Sequence, residues 1–245
     1  MTQPAPPADR APPSVTRFYL IHAGLPALLT LALLVVFQVT DLDRALSDLF
    51  YDPAARQFPL RYAWFLEVVL HQWAKYLLVV IGCGTLAGFV ASFGVPALRA
   101  QRRTLLFVFL AMVLGPLAAG AVKEFSSQHC PHNLEIYGGY APQTRLLEPA
   151  LPGIKAGQCS PSGHASGGFG LMAFYFVWYR RRRRAYAALA AGVTYGSILG
   201  FGRILQGAHF LSHIFWSAVV VWFVILLLHR LILLPRAGRN IRAAA

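Results

Sequence analysis

Apolar residues in this chain come in long unbroken runs, not in the alternation of a half-buried strand or the one-sided stripe of a soluble amphipathic helix. Six runs stand out: Phe18 to Val39, Leu77 to Phe93, Thr104 to Val122, Ala165 to Tyr179, Ala185 to Gly202 and Phe210 to Leu234. A helix needs about 20 apolar residues to cross a bilayer, so the pattern predicts an all-α polytopic membrane protein with six transmembrane helices. Between the first two runs, Leu42 to Phe50 reads as an outer amphipathic helix, with Asp43 as its N-cap and Pro53 and Pro59 ending it. Tyr62 to Tyr76 is mixed and suits the membrane interface, with Trp64, Trp73 and Tyr76 as belt residues. The longest polar stretch is Glu124 to Ser160.

Three segments follow for the organisation of the chain. Residues 1–17, rich in Pro and Ala, are expected to be a disordered cytoplasmic tail. Residues 18–234 form the six-span domain, and 235–245 a basic cytoplasmic tail. The first apolar run is too long, and lacks a clear cleavage site, for a removable signal peptide.

Composition agrees. The chain is 57% hydrophobic and 13% charged, with mean hydropathy +0.53, where soluble domains carry about 25% charged residues. The net charge of +13 invites a nucleic-acid reading. The placement of the basic residues excludes it. They cluster in short loops beside the runs: Arg99, Arg102 and Arg103, the five arginines Arg180 to Arg184, and the Arg-containing tail. By the positive-inside rule these loops and both termini are cytoplasmic. The remaining loops then face the other side, which in a bacterial inner membrane is the periplasm.

That topology gathers the chemistry-bearing residues at the outer face. Lys123 ends the third run, and Ser162, Gly163 and His164 open the fourth. Arg203 and His209 lie in the turn between the fifth and sixth, with His213 one helical turn further on. The Gly-rich start of a helix offers unpaired backbone N–H groups and a positive dipole end to a phosphate. Lys123 and Arg203 add fixed positive charge, and Arg203 can grip a phosphoryl group with two parallel bonds. Two histidines can divide nucleophilic and acid–base work. His22, His71 and His229, at run ends, read most simply as interfacial residues.

Pro161-Ser162-Gly163-His164 followed by Arg203-x5-His209-x3-His213 resembles the second and third signature blocks of the type-2 phosphatidic acid phosphatase family. Lys123, six residues, then Cys130-Pro131 resembles the first block, Lys-x6-Arg-Pro, with Cys in place of Arg. The resemblance implies metal-independent hydrolysis of a phosphate monoester or pyrophosphate on a membrane lipid, with no cofactor. It implies His209 as a nucleophile forming a phosphohistidine, and His164 as the acid that protonates the leaving group and then activates water. Lys123, Ser162, Gly163 and Arg203 would hold the phosphoryl oxygens. His213 stands where the family has Asp, and no Asp or Glu follows Glu148 to replace it. A neutral imidazole orients His209 without supplying negative charge, so activity is expected to fall as His213 protonates. Arg145 or Lys155 is expected to compensate for the cation missing at Cys130.

Cys130 and Cys159, both on the outer side, are expected to form a disulfide, and Cys83 to pack inside its helix. His129, Cys130 and His132 with the His209–His213 pair raise a zinc-dependent hydrolase as the alternative. A non-catalytic lipid-phosphate binder or transporter is a second. The expected partners are a phosphorylated membrane lipid and the bilayer, with no nucleic acid and no obligate protein partner.

Overall fold

The computed structural model describes residues 15–234. Residues 1–14 and the tail from 235 lie outside the described residues, so the expectations for both tails apply to residues outside it. Helix begins at Val15, within the segment expected to be disordered.

The described chain is all-helical, with two isolated bridges and no strand. Helix α1 (Val15–Tyr19) runs through a wider π-type turn, Leu20–Gly24, into α2 (Leu25–Val39). A short outer helix, α3 (Leu42–Asp48), follows. A second π-type stretch, Phe65–Trp73, continues into α4 (Ala74–Ala91). Then come α5 (Arg102–Lys123), α6 (Gly163–Phe169), α7 (Ala173–Val177), α8 (Arg182–Leu205) and α9 (Leu211–Leu228).

Among the described residues, five helical stretches are long and apolar enough to cross a membrane: Thr16–Val39, Phe65–Ala91, Pro96–Lys123, Arg182–Leu205 and Leu211–Leu233. The fourth expected span differs. It is α6, a 3₁₀ turn at Gly170–Met172, and α7, shorter than its neighbours and broken into three pieces. Four glycines within Gly163–Gly170 explain the break, since each weakens helix by about 1 kcal/mol relative to Ala. The second span also differs. Its helix starts at Phe65, so the mixed interfacial stretch is part of the span.

The bundle core is α5, α6, α7, α8 and α9, while α2 and α4 bury no residue and turn their side chains outward. The broken segment packs on α8 through backbone. A Cβ on Gly168 would stand 2.6 Å from the Gly196 Cα, and one on Gly192 2.6 Å from the Met172 nitrogen. Gly192, Gly196 and Gly200 recur every four residues, the spacing that lets membrane helices approach closely. Cys83, expected inside, is exposed. His22 and His229 are corrected as well: both are buried, and His22 Nε2 lies 2.8 Å from the Tyr175 hydroxyl.

Above the bundle, Phe58, Leu134, Tyr137, Ala141 and Phe210 form a small outer core. Tyr137 donates to Asp48 at 2.7 Å, which ties the 135–141 turn to α3. Gly207 has φ +64, and a Cβ there would lie 2.3 Å from the Phe58 ring, so only glycine lets the turn after α8 tuck beneath this cap.

Candidate active site

Three chain segments meet where α8 ends, α9 begins and α6 starts. The loop before α6 is held against residues 126–128 by a short ladder: Gly157 N–H to Ser127 O, Gln158 N–H to Ser126 O and Cys159 N–H to Gln128 O, at 3.0–3.1 Å. Cys130 and Cys159 are joined by a disulfide. The Ser162 N–H donates to His213 O at 3.1 Å, and the Ser217 hydroxyl contacts both Ser162 O and His213 O at 2.8 Å. The Ser162–Gly163–His164 turn is thus fastened to the helix bearing His213.

His209 follows the turn closed by Ala208 N–H to Arg203 O at 2.9 Å. Its Nδ1 lies 3.4 Å from His213 Nδ1 and 3.4 Å from the Cys159 sulfur. Of the hydrogens that can occupy this edge, an N–H on His209 Nδ1 donating to His213 Nδ1 leaves His209 Nε2 with its lone pair free. It also puts the His213 proton on Nε2, an atom that is buried without a partner. Burial, first, and then the charges of His213, Lys123 and Arg203 push His209 well below the ordinary imidazole range, so the ring is neutral.

Arg203 is built in by contacts that the sequence reading missed. One terminal nitrogen donates to Glu67 Oε1 at 3.2 Å, to Gln206 Oε1 at 2.8 Å and to His71 Nδ1 at 3.2 Å. Gln206 in turn donates to Glu67 Oε1 at 2.7 Å and to Arg61 O at 3.1 Å. The Arg203 Nε is buried with no partner, and so is the Ser162 hydroxyl. Two orphaned donors beside two cationic side chains, Lys123 and Arg203, leave an unmet demand for an anion here.

His71 corrects the interfacial expectation: its Nε2 is 2.7 Å from His164 Nε2. The available signal was helical spacing, because Glu67, His71 and Lys75 recur every four residues on one face.

Arg145 does not compensate for Cys130. It binds the end of α2, reaching Asp41 at 3.0 Å, Thr40 O at 3.2 Å and Gln38 O. Asp43 does not cap its own helix either; it accepts from Ser212 at the start of α9.

The zinc alternative does not fit these donors. Cys130, Cys159 and His209 form the one close cluster of ligand-type atoms among the described residues, and its two sulfurs are bonded to each other, so neither offers a thiolate. His132 Nδ1 is engaged with Gly207 O at 2.9 Å, where burial holds its pKa below the ordinary value.

Residues 104–235 match the family model described as the PAP2 superfamily. The chain is also similar to the lipid A 4'-phosphatase of Francisella tularensis subsp. novicida, 26% identical over 228 residues, which cover 88% of this chain and 98% of that one. No solved structure matches it. The family match spans more than half of the chain and includes Lys123, the Ser162–His164 turn and Arg203 to His213, so the chain belongs to the PAP2 superfamily, the type-2 phosphatidic acid phosphatases, and is a lipid phosphatase.

Proposed function

We propose that this chain hydrolyses a phosphate monoester on a membrane glycolipid of the lipid A class, at the periplasmic face of a bacterial inner membrane, through a phosphohistidine. The observation that carries the mechanism is the His209–His213 contact, which leaves His209 Nε2 free beside Lys123 and Arg203. The glycolipid class rests on the similarity to a lipid A 4'-phosphatase. The face rests on the arginine run that leads into and opens α8, read by the positive-inside rule as cytoplasmic.

In the first step the His209 Nε2 lone pair attacks phosphorus. An N–P bond forms, and the P–O bond to the lipid breaks with its electron pair on oxygen. His164 supplies the proton that makes this oxygen an alcohol. In the second step water attacks phosphorus, His164 takes the water proton, and the N–P bond returns its pair to His209. Lys123, Ser162, the Gly163 N–H and Arg203 hold the three equatorial oxygens throughout. Catalysis is then mostly positioning and charge stabilisation. His213 accepts the His209 Nδ1 proton in place of a carboxylate.

The test is phosphate release by detergent-solubilised protein in excess chelator, from a panel including lipid A, phosphatidic acid and a polyprenyl pyrophosphate. Release by the wild type and none by His209→Ala is the expected result. Release by His209→Ala, or release that requires added zinc, overturns the mechanism.

A further inference from the structure

We propose that His71 is a proton relay for His164, so that the general acid of this enzyme is a pair of imidazoles instead of one. The proposal rests on the reading of His164 as the acid. Three observations carry it. The two Nε2 atoms are 2.7 Å apart, a distance that requires a hydrogen between them. The far nitrogen of His71, Nδ1, has an alternative partner for each charge state: Arg203 donates to it at 3.2 Å, and Glu67 Oε2 lies 3.4 Å away to accept from it. Finally, the His71 side chain stands beside Glu67 and is 28% exposed, so the imidazole pair is not sealed within the bundle.

The proton balance closes. In the neutral pair, Arg203 donates to His71 Nδ1, and the His71 Nε2–H donates to His164 Nε2. A proton arriving from water binds His71 Nδ1 and turns toward Glu67. The Nε2 proton then passes to His164, which becomes the imidazolium. The leaving oxygen takes the His164 Nδ1 proton. Both rings are left neutral, with hydrogens on His164 Nε2 and His71 Nδ1. In the second half, the water that attacks phosphorus gives its proton to His164 Nδ1, and His164 returns its Nε2 proton to His71. The pair ends protonated and ready for the next ester.

The groups that face this pair set its charge. Glu67 and Lys75 lie on the same helix as His71, Arg203 comes from α8, and Lys123 from α5 bears on His164. Glu67 is the one carboxylate among them, and it sits at the outer end, where the waiting proton is held.

The test compares His71→Gln and His71→Ala with the wild type on two substrates. An alkyl phosphate needs its leaving oxygen protonated, and p-nitrophenyl phosphate does not. The Gln amide keeps a donor toward His164 Nε2 but carries no proton through. Both variants are expected to lose about 100-fold or more in the single-turnover rate of phosphoenzyme formation from the alkyl ester, within the usual range for general acid catalysis, and less than about threefold in that rate from p-nitrophenyl phosphate; the water step, which also uses His71, is common to both substrates and lies outside this measurement. The alkaline limb of the kcat–pH profile moves in both, and imidazole in the buffer restores His71→Ala. Equal losses on the two substrates, full activity of His71→Gln on the alkyl ester, or no imidazole rescue would overturn the relay. His209→Ala keeps this outcome separate from failure of the underlying mechanism: if it still turns over p-nitrophenyl phosphate, the phosphohistidine reading fails, whatever His71 does.

Discussion

The Asp43 carboxylate fastens Ser212. Its Oδ1 accepts the Ser212 N–H at 2.8 Å and its Oδ2 the Ser212 hydroxyl at 2.5 Å. Ser212 is the second residue of α9, next to His213, so a side chain from the outer helix α3 caps the helix that carries the His209 partner. Burial raises the Asp43 pKa, and the two Ser212 bonds oppose that rise. Capping satisfies a helix-start N–H and places negative charge at the positive end of the dipole.

Asp43→Ala is therefore expected to cost about 1–2 kcal/mol of stability, and to lower kcat more than KM because α9 loosens under His213. Asp43→Asn should keep most of both, since its amide oxygen still accepts. Thermal melts and steady-state kinetics in detergent check this, and wild-type values for Asp43→Ala would remove the anchor role.

Arg203 is expected to be irreplaceable by lysine. Its Nε points to no protein partner while a terminal nitrogen is held by Glu67, Gln206 and His71. Arg203→Lys should drop kcat/KM by about 100-fold or more, the usual cost of removing a donor to a transition-state oxyanion. Glu67→Gln loosens a partly exposed pair with Arg203, which should raise KM only a few-fold, and it removes the carboxylate beside His71 Nδ1, which should lower kcat on alkyl esters.

Breaking the Cys130–Cys159 bond should destabilise the chain by about 3–4 kcal/mol through loop closure alone, for a separation of 29. Activity should fall with it, because the Cys159 sulfur touches His209 Nδ1 at 3.4 Å. Melting and phosphate release with and without reductant measure both. Loss of stability with unchanged kcat would confine the bond to the fold.

Acid is expected to unfold this chain. Burial depresses His132 and His209 in the folded state, so below the unfolded imidazole value near 6.5 the unfolded chain binds the additional protons. Stability is then full above about pH 6.5 and declines as pH falls toward the folded values. A pH series of melting temperatures checks the sign, and a melting temperature that is flat or rises from pH 7 to pH 5 contradicts it.

His213→Asp should raise kcat by about tenfold or more. A carboxylate stabilises the imidazolium form of the nucleophile in a way that a neutral ring cannot, and in triad hydrolases the loss of that charge costs orders of magnitude. A lower kcat in a variant of unchanged melting temperature would mean that the surroundings are tuned to His213.

Lys123, Ser162, Arg203 and His209 were legible because each lies at the end of an apolar run, and topology alone puts those ends on one side. Glu67 and His71 were not. The stretch that holds them carries tryptophans, a carboxylate and a lysine, and read as interface; in the structure a π-type turn lets helix continue through it, and such turns recur at functional sites. Asp43 was found, but on the wrong helix. A carboxylate four residues from the end of the first span gives no sign that it will reach residue 212. The glycine seam of α8 was present as a four-residue repeat. It is decisive in the fold because it lets the broken segment come to backbone contact with α8 while Phe169, Met172 and Phe176 join the core.

The broken segment also has a length. Seven, three and five residues of helix amount to about 22 Å, against roughly 30 Å of hydrocarbon. The deficit falls at the arginine-flanked end: Gly168 packs on Gly196 and Gly192 on Met172, so the phosphate turn lies level with the last turns of α8, a 24-residue helix long enough to bridge the hydrocarbon. The short segment therefore keeps its reactive end at the height of a full-length neighbour and gives up its missing turns on the far side, where no chemistry is done.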